Sequence, residues 1–369
     1  MEATMSGTGL NIKSIEQQLM SLWQQEGEHS GVLRTSTVNL LVYVPGPRKT
    51  REVDDAVSEI TLAHPARVIL LLIDRDSASP SVTAEVNSHC TLPSSSNKQV
   101  CCEEISILAS AQLAGEIPSA VSPLLLSDLP AYLWWRAVPK LEDRVFTRLA
   151  TMSDRVIIDS SQFADPRGDL KSLAGIINQR PRRTAFSDLN WARLGAWRGL
   201  LASFYDINEY RPLLDRLRRV VIEYAPGSGG RAEIAARPLL LAGWLASRLG
   251  WQIDAASVAR AGAALSFEFS SGGQSMRVEF SETLREIEPG HLALVKLESQ
   301  SGCSFSVRRS QDAQRIEAEV TGAERSSRRV LSYESWTESA LISRELELSG
   351  HDPVYEQSVL AAARFIDLL

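Results

Sequence analysis

Apolar positions mark out the elements along this chain. Over residues 12–25 they recur at helical spacing as Ile15, Leu19, Leu22 and Trp23, which predicts an amphipathic helix. Residues 37–44 (TVNLLVYV) are instead a short, nearly continuous apolar run closed by Pro45-Gly46-Pro47. A run of that kind, ended by breakers, predicts a strand covered on both faces. Helical spacing returns over 53–63, with Asp54 and Asp55 near the positive end of the helix dipole. A second buried strand follows at 67–74 (RVILLLID), and strand–helix–strand predicts a parallel pair joined by a crossover. Residues 82–91 and 99–108 read as a hairpin on the sheet edge, turning at 93–97. Beyond it come a helix at 118–126, a strand at 130–138, a helix near 141–150, a strand at 155–160 and a helix at 170–179. This alternation predicts a doubly wound, Rossmann-like α/β sheet.

The second half follows another rhythm. After Arg180-Pro181-Arg182-Arg183, a linker by composition, residues 187–205 read as one amphipathic helix carrying Trp191, Leu194, Trp197, Leu201 and Phe204. Residues 217–225 are strand-like and end in Pro226-Gly227-Ser228-Gly229-Gly230, and 232–249 are strongly helical. From 264 to 321 the period drops to two, with Phe267, Val278, Leu294, Phe305 and Val320 among the apolar positions. That predicts an antiparallel meander with one wet face. Two helices, at 335–347 and 353–369, close an α+β half. The predicted organisation is an N-terminal helix (1–30), a Rossmann-like domain (31–183) and an α+β domain (184–369).

Composition narrows the class without naming a chemistry. A chain of 369 residues suits two domains at roughly 100–200 residues each. With 44 % hydrophobic and 23 % charged residues it cannot be a disordered or low-complexity chain. A net charge of −6 argues against a nucleic-acid binder. The longest aliphatic run, 68–73, is far short of the ~20 residues a membrane span needs. Residues 1–12 lack the pattern of a secretory signal. Four cysteines, Cys90, Cys101, Cys102 and Cys303, are too few for a disulfide framework. The expectation is a cytoplasmic protein with mostly reduced thiols and no membrane association.

The chemistry-bearing motifs are mostly missing from their usual places. Among the five histidines no HExxH pair occurs, and no GxSxG elbow is present. His89-Cys90 faces Cys101-Cys102 across the hairpin. Inert thiols are the leading reading there, a disulfide or redox pair of Cys90 with Cys101 or Cys102 comes second, and a metal site last, because adjacent strand residues point to opposite faces. Glu103-Glu104 and Asp54-Asp55 fit solvated strand and helix ends. The turn after the first buried strand, PGPRKT, lacks the glycines that let a backbone approach a pyrophosphate, so no cofactor is expected. Gly227-Ser228-Gly229-Gly230-Arg231 could cradle a phosphate, although a flexible turn is the simpler reading. Trp134 and Trp135 can both be buried only if helices cover both sheet faces. Trp191 and Trp197 form a stripe with Arg193 and Arg198 nearby, which fits core packing or, more sharply, a partner-binding face.

At these residues the chain resembles the glucose-6-phosphate dehydrogenase assembly protein family, OpcA. The resemblance is carried in order by DLPAYLWWR (128–136), RVIIDSSQF (155–163), DLNWARLGAWR (188–198) and LLLAGWLASRLGW (239–251), more weakly by VNLLVYV (38–44), HPARVILL (64–71) and the cysteine hairpin. The N-terminal helix points to the cyanobacterial type. The resemblance implies a non-enzymatic allosteric activator that binds glucose-6-phosphate dehydrogenase, promotes its active oligomer and controls the oxidative pentose phosphate pathway. It also implies redox regulation through thioredoxin. The second half carries only Cys303, so a thiol switch would have to use Cys90, Cys101 or Cys102. The expected partner-binding residues are Arg136, Trp191, Arg193, Trp197 and Arg198. The alternative is a sugar-phosphate or nucleotide-binding protein or enzyme using the crevice at the strand carboxyl ends. A third reading is a pure scaffold that changes oligomer size alone.

Overall fold

The computed structural model describes residues 10–369 apart from 28–31, 92–98, 180–182, 228–233, 254, 263, 312–313 and 334–335. The chain divides into two units. The first takes Met1–Ile158, Gln179–Ser187 and Thr337–His351, and the second Asp159–Asn178, Asp188–Trp336 and Asp352–Leu369.

In the first unit, the continuous apolar runs become buried parallel strands. β1 (Val32–Arg34), β2 (Val38–Pro45), β3 (Ala66–Asp74), β4 (Val82–Thr91), β5 (Gln99–Ser110), β6 (Ala131–Trp135), β7 (Arg155–Ile158) and β8 (Ala185–Asp188) form one sheet in the order β1-β5-β3-β2-β6-β7-β8, with β4 paired to β5. β2 runs parallel to both β3 and β6, and β4 and β5 form the predicted edge hairpin. Its turn at 93–97 and most of the proposed linker at 180–183 lie outside the described residues. Helices α1 (Ile12–Gly27), α2 (Arg51–Ala63), α3 (Ile117–Val121) and α4 (Arg144–Met152) come from this half of the chain. Trp134 and Trp135 are both about 1 % exposed, as a sheet covered on two faces requires.

The second unit holds α5 (Pro166–Gln179), α6 (Leu189–Arg193), α7 (Gly195–Tyr205), α8 (Arg211–Leu214) and α9 (Ala236–Leu249). Residues 187–205 are therefore not one helix: a strand end, two helices and a break at Leu194 replace it, because Asp188 caps α6 by accepting from the Asn190 N–H. β9 (Leu217–Tyr224) to β16 build a sheet in the order β10-β11-β12-β9-β13-β14-β15-β16. The strands are β10 (Ser257–Ala261), β11 (Ala264–Ser271), β12 (Gln274–Glu282), β13 (Leu292–Ser299), β14 (Ser304–Arg309), β15 (Arg315–Thr321) and β16 (Ser327–Ser332). The expected meander is split: β9 inserts between β12 and β13, parallel to the first and antiparallel to the second. Its buried Val220, Val221 and Ile222 suit a central position.

The last two helices part company. α10 (Glu338–Glu347) belongs to the first unit and contacts α2, where the Ser339 hydroxyl donates to Glu59. α11 (Pro353–Asp367) lies along α9 in the second. Their approach is close at Gly243: an added Cβ would sit 2.1 Å from the Ser358 carbonyl oxygen.

Candidate functional site

The strand order reverses between β2 and β6, and open α/β sheets bind ligands outside the carboxyl ends at such a point. Here aromatic carbon fills the place. The Tyr43 ring, near the end of β2, stacks on Trp135 at the end of β6 with centroids 3.7 Å apart. Phe146 of α4 meets Trp135 edge-on at 5.0 Å. Burial pushes the Tyr43 phenol up, against a hydrogen bond from Arg75. Arg136 follows directly, its guanidinium 5.0 Å from the Trp134 ring centroid and 3.5 Å from Glu338 of α10. The N-terminus of α2, where a pyrophosphate would sit, is capped by the Thr50 hydroxyl. The adjoining Lys49 ammonium lies 2.7 Å from Glu104 and 2.5 Å from Asp54.

The hairpin corrects two expectations. Glu103 and Glu104 are not solvated strand ends; they are 1 % and 3 % exposed. Glu103 accepts from Trp23 Nε1 at 2.6 Å and from Arg67 Nε at 2.7 Å. Glu104 meets His89 and Lys49; burial drives its carboxyl up, but these two hydrogen bonds outweigh that and hold it below the usual range. The alternation of strand side chains explains the division, since neighbours face opposite sides and each finds its own cation. The thiols are not all inert: Cys90 and Cys101, directly opposite in the ladder with Cα atoms 4.1 Å apart, form a disulfide. Cys102 and Cys303 are free and buried, and burial raises the Cys102 thiol. Among the described residues Asp54, His89 and Glu104 bring ligand atoms within 4.8 Å of one another, but the Lys49 ammonium already supplies the positive charge there.

In the second unit the tryptophan motifs build an interior. Trp191 is 5 % and Trp197 2 % exposed. Trp191 Nε1 donates to Asp352 at 2.9 Å, its ring neighbours Tyr355, and the Arg198 guanidinium stacks on it at 3.5 Å. Arg193 makes a bidentate pair with Asp159 at 2.8 and 3.0 Å. Arg136, Arg193 and Arg198 thus remain partly accessible, whereas the two indoles do not.

Sequence reasoning missed the polar groups buried beside these motifs. Asp188 is 1 % exposed and accepts from the Ser160 and Asn190 N–H groups at 3.0 and 2.9 Å. Burial, reinforced by Asp159, pushes its carboxyl up to about 6. Asn190 is fully buried and accepts from Arg237 Nε at 2.7 Å. The available signal was Asp188-Leu189-Asn190, a helix cap hidden within the apolar stripe.

Residues 57–175 match the family described as glucose-6-phosphate dehydrogenase subunit N-terminal domain, and residues 184–359 match its C-terminal domain. A relative from Nostoc punctiforme, named OxPP cycle protein OpcA, is 30% identical over 333 residues, 84% of this chain and 67% of its own length. The chain belongs to the OpcA family. A second relative of that name, from Synechococcus elongatus, is 29% identical over 325 residues, 82% of this chain and 68% of the relative. An NAD binding oxidoreductase from Klebsiella pneumoniae superposes with a TM-score of 0.50 at 8% identity, over 91% of this chain and 96% of that one. That likeness is one of fold alone. OpcA membership supports a role in glucose-6-phosphate dehydrogenase assembly and the oxidative pentose phosphate cycle. Among the described residues no helix is long and apolar enough to cross a membrane.

Proposed function

We propose that this OpcA chain binds glucose-6-phosphate dehydrogenase, promotes its active oligomer and raises its activity, without itself transferring hydride. The observation that carries the non-catalytic half of this reading is the buried stack of Tyr43, Trp135 and Phe146 at the carboxyl ends of β2 and β6. A crevice filled with packed aromatic carbon does not open without losing that packing. This favours the protein-binding reading over a nucleotide or sugar-phosphate enzyme working at those strand ends.

An activator must bind the active state of its partner more tightly than the inactive one. A coupling of ~1–3 kcal/mol would change apparent affinity about 5–150-fold. The proposed contact residues are Arg136 in the first unit and Arg193 and Arg198 in the second, where Trp191 supports the Arg198 guanidinium and Trp197 packs in the core. The Cys90–Cys101 bridge is the proposed redox element, reducible by a dithiol of the thioredoxin type. The test is co-purification with the dehydrogenase, followed by sedimentation and activity titration under reducing and oxidising conditions. The expected result is a larger dehydrogenase oligomer with altered kinetics, and no NADP reduction by this chain alone. A change in oligomer size with unchanged kinetics would reduce the role to scaffolding; turnover by the isolated chain would refute the proposal.

A further inference from the structure

A cavity of about 690 Å³ lies within the second unit, between residues 160–166 and the start of α9. Arg237, the second residue of α9, lines it and is only 4 % exposed. Its Nε donates to Asn190. Among the described residues no carboxylate lies within ion-pair distance of its guanidinium. Two other buried arginines are paired with carboxylates: Arg67 meets Glu103 at 2.6 Å, and Arg155 meets Glu345 at 3.9 Å and donates to the Gly350 carbonyl at 2.6 Å. A buried cation without an ion-pair partner is costly; Asp159 and Glu288 act on Arg237 only from beyond ion-pair distance, which leaves room for an anionic ligand.

Two further features face the same way. α9 has 14 residues, and Ala235 at its N-cap offers no side-chain acceptor, so among the described residues no side chain caps the positive end of the helix where it meets the cavity. Arg193 adds to the positive field at Arg237, and Asp159 and Glu288 offset part of it. Burial first, then the Arg237, Arg309 and Arg193 guanidiniums, drive His291 down to about 3. His291 is therefore neutral, with its Nδ1 3.1 Å from the Arg309 guanidinium and 3.0 Å from Glu288. Of the glycine-rich stretch 227–231, only Gly227 is among the described residues, and it too lines the cavity.

We propose that this cavity binds a small phosphate monoester of a polyol, with its phosphate on Arg237 and the first turn of α9 and its hydroxyls along Ser161, Gln162 and Asp165. A dianion matches a guanidinium combined with an uncapped helix end. The volume falls in the range of small-molecule sites and far exceeds what a bare phosphate fills. The hydroxyl, amide and carboxylate of the opposite wall offer both donors and acceptors, as hydroxyl groups require. The inference does not depend on the dehydrogenase reading, because binding is measured on this chain alone.

The test titrates the full chain, by calorimetry and thermal shift, with glucose 6-phosphate, inorganic phosphate, glucose and gluconate. We expect glucose 6-phosphate to bind, inorganic phosphate to bind at least about tenfold more weakly, and glucose and gluconate to give no response. R237Q removes a buried charge without an ion-pair partner, so it should unfold no lower than the parent while losing at least about tenfold in affinity. A235D places a carboxylate at the N-cap; it should raise the unfolding temperature and abolish binding, and it keeps the test decisive should R237Q fail to fold. Absence of any response to millimolar glucose 6-phosphate, undiminished binding by R237Q or A235D, or equal binding of glucose overturns the proposal. Inorganic phosphate binding as tightly as the ester overturns the assignment of the remaining volume to a polyol.

Discussion

Asp188→Asn isolates the cost of one buried charge. Asp188 sits at the end of β8, 1 % exposed, with its Oδ1 accepting two backbone N–H groups and its Oδ2 3.5 Å from the Tyr355 hydroxyl. Asparagine can keep the Oδ1 bonds, so the cap of α6 survives. What disappears is the ionised carboxylate, whose pKa stands at about 6 against an ordinary 3.8, first through burial and then through Asp159. A folded-state value above the unfolded one means that protonation favours folding. The contribution is fully present below about pH 4 and is lost as the pH rises through about 6. The two values differ by about 2 units, worth roughly 3 kcal/mol at neutral pH and above. At about 2–4 °C per kcal/mol for a unit of this size, D188N should unfold several degrees above the parent at pH 8. The gap should close near pH 4. Scanning calorimetry or thermal fluorescence across that range reads it directly. A D188N protein equal to or less stable than the parent at pH 8, with no dependence of the gap on pH, would refute the reasoning and show that the carboxylate is compensated.

Four further outcomes are expected. Gly243→Ala should cost ~1–3 kcal/mol or more in urea titration, because its Cβ would meet the backbone atoms Ser358 O and Ala362 N at 2.1 and 2.7 Å; an unchanged midpoint would refute the close crossing of α9 and α11. Arg67→Met should cost about 3–5 kcal/mol by stranding Glu103, and adding Glu103→Gln should recover part of the loss. Reduction should lower the stability of the parent by ~2–4 kcal/mol but leave Cys90→Ser unmoved, since the bridge closes a loop of separation 11. Trp191→Ala should lose about 3–5 kcal/mol in stability, whereas Arg136→Ala should fold normally and fail only in dehydrogenase activation.

The first sheet was legible because its strands leave little choice. A run such as 67–74, apolar at nearly every position and flanked by polar breakers, is too short for a free-standing helix and too apolar for a surface strand. It appears as β3 with bounds shifted by a single residue. What was not legible depends on partners far apart in the chain. Glu103 and Glu104 look like surface residues locally; their cations come from Arg67 and Lys49, 36 and 55 residues away. Residues 187–205 carry an apolar stripe that fits one helix, and the stripe concealed both the cap at Asp188 and the break at Leu194. The placement of α10 beside α2 spans the sequence almost end to end, and no local pattern encodes it. At the candidate site, the quoted tryptophan strings were the right residues to notice for folding. The polar residues inside the same strings, Asp159, Asp188 and Asn190, carried the unspent chemistry.

The distribution of buried charge differs in kind between the two units. At the switch point, where nucleotide-binding sheets keep open backbone and glycine, the chain packs Tyr43 against Trp135 and Phe146, and caps α2 with its own Thr50. Apolar filling of that sort adds stability. In the second unit the balance reverses. Asp188 is held ionisable at about 6, Arg237 has no carboxylate beside it, and α9 begins without a capping side chain. Each feature lowers the stability of the protein on its own, and a shape selected for packing alone would have replaced them with carbon, as the first unit does at its switch point. A regulator that senses an anionic metabolite needs this asymmetry: a sealed crevice where an enzyme would work, and a cation without an ion-pair partner where an effector would sit. D188N stabilising the protein and R237Q unfolding no lower than the parent, with phosphate-ester binding lost in the second, is the joint result that this division of roles requires.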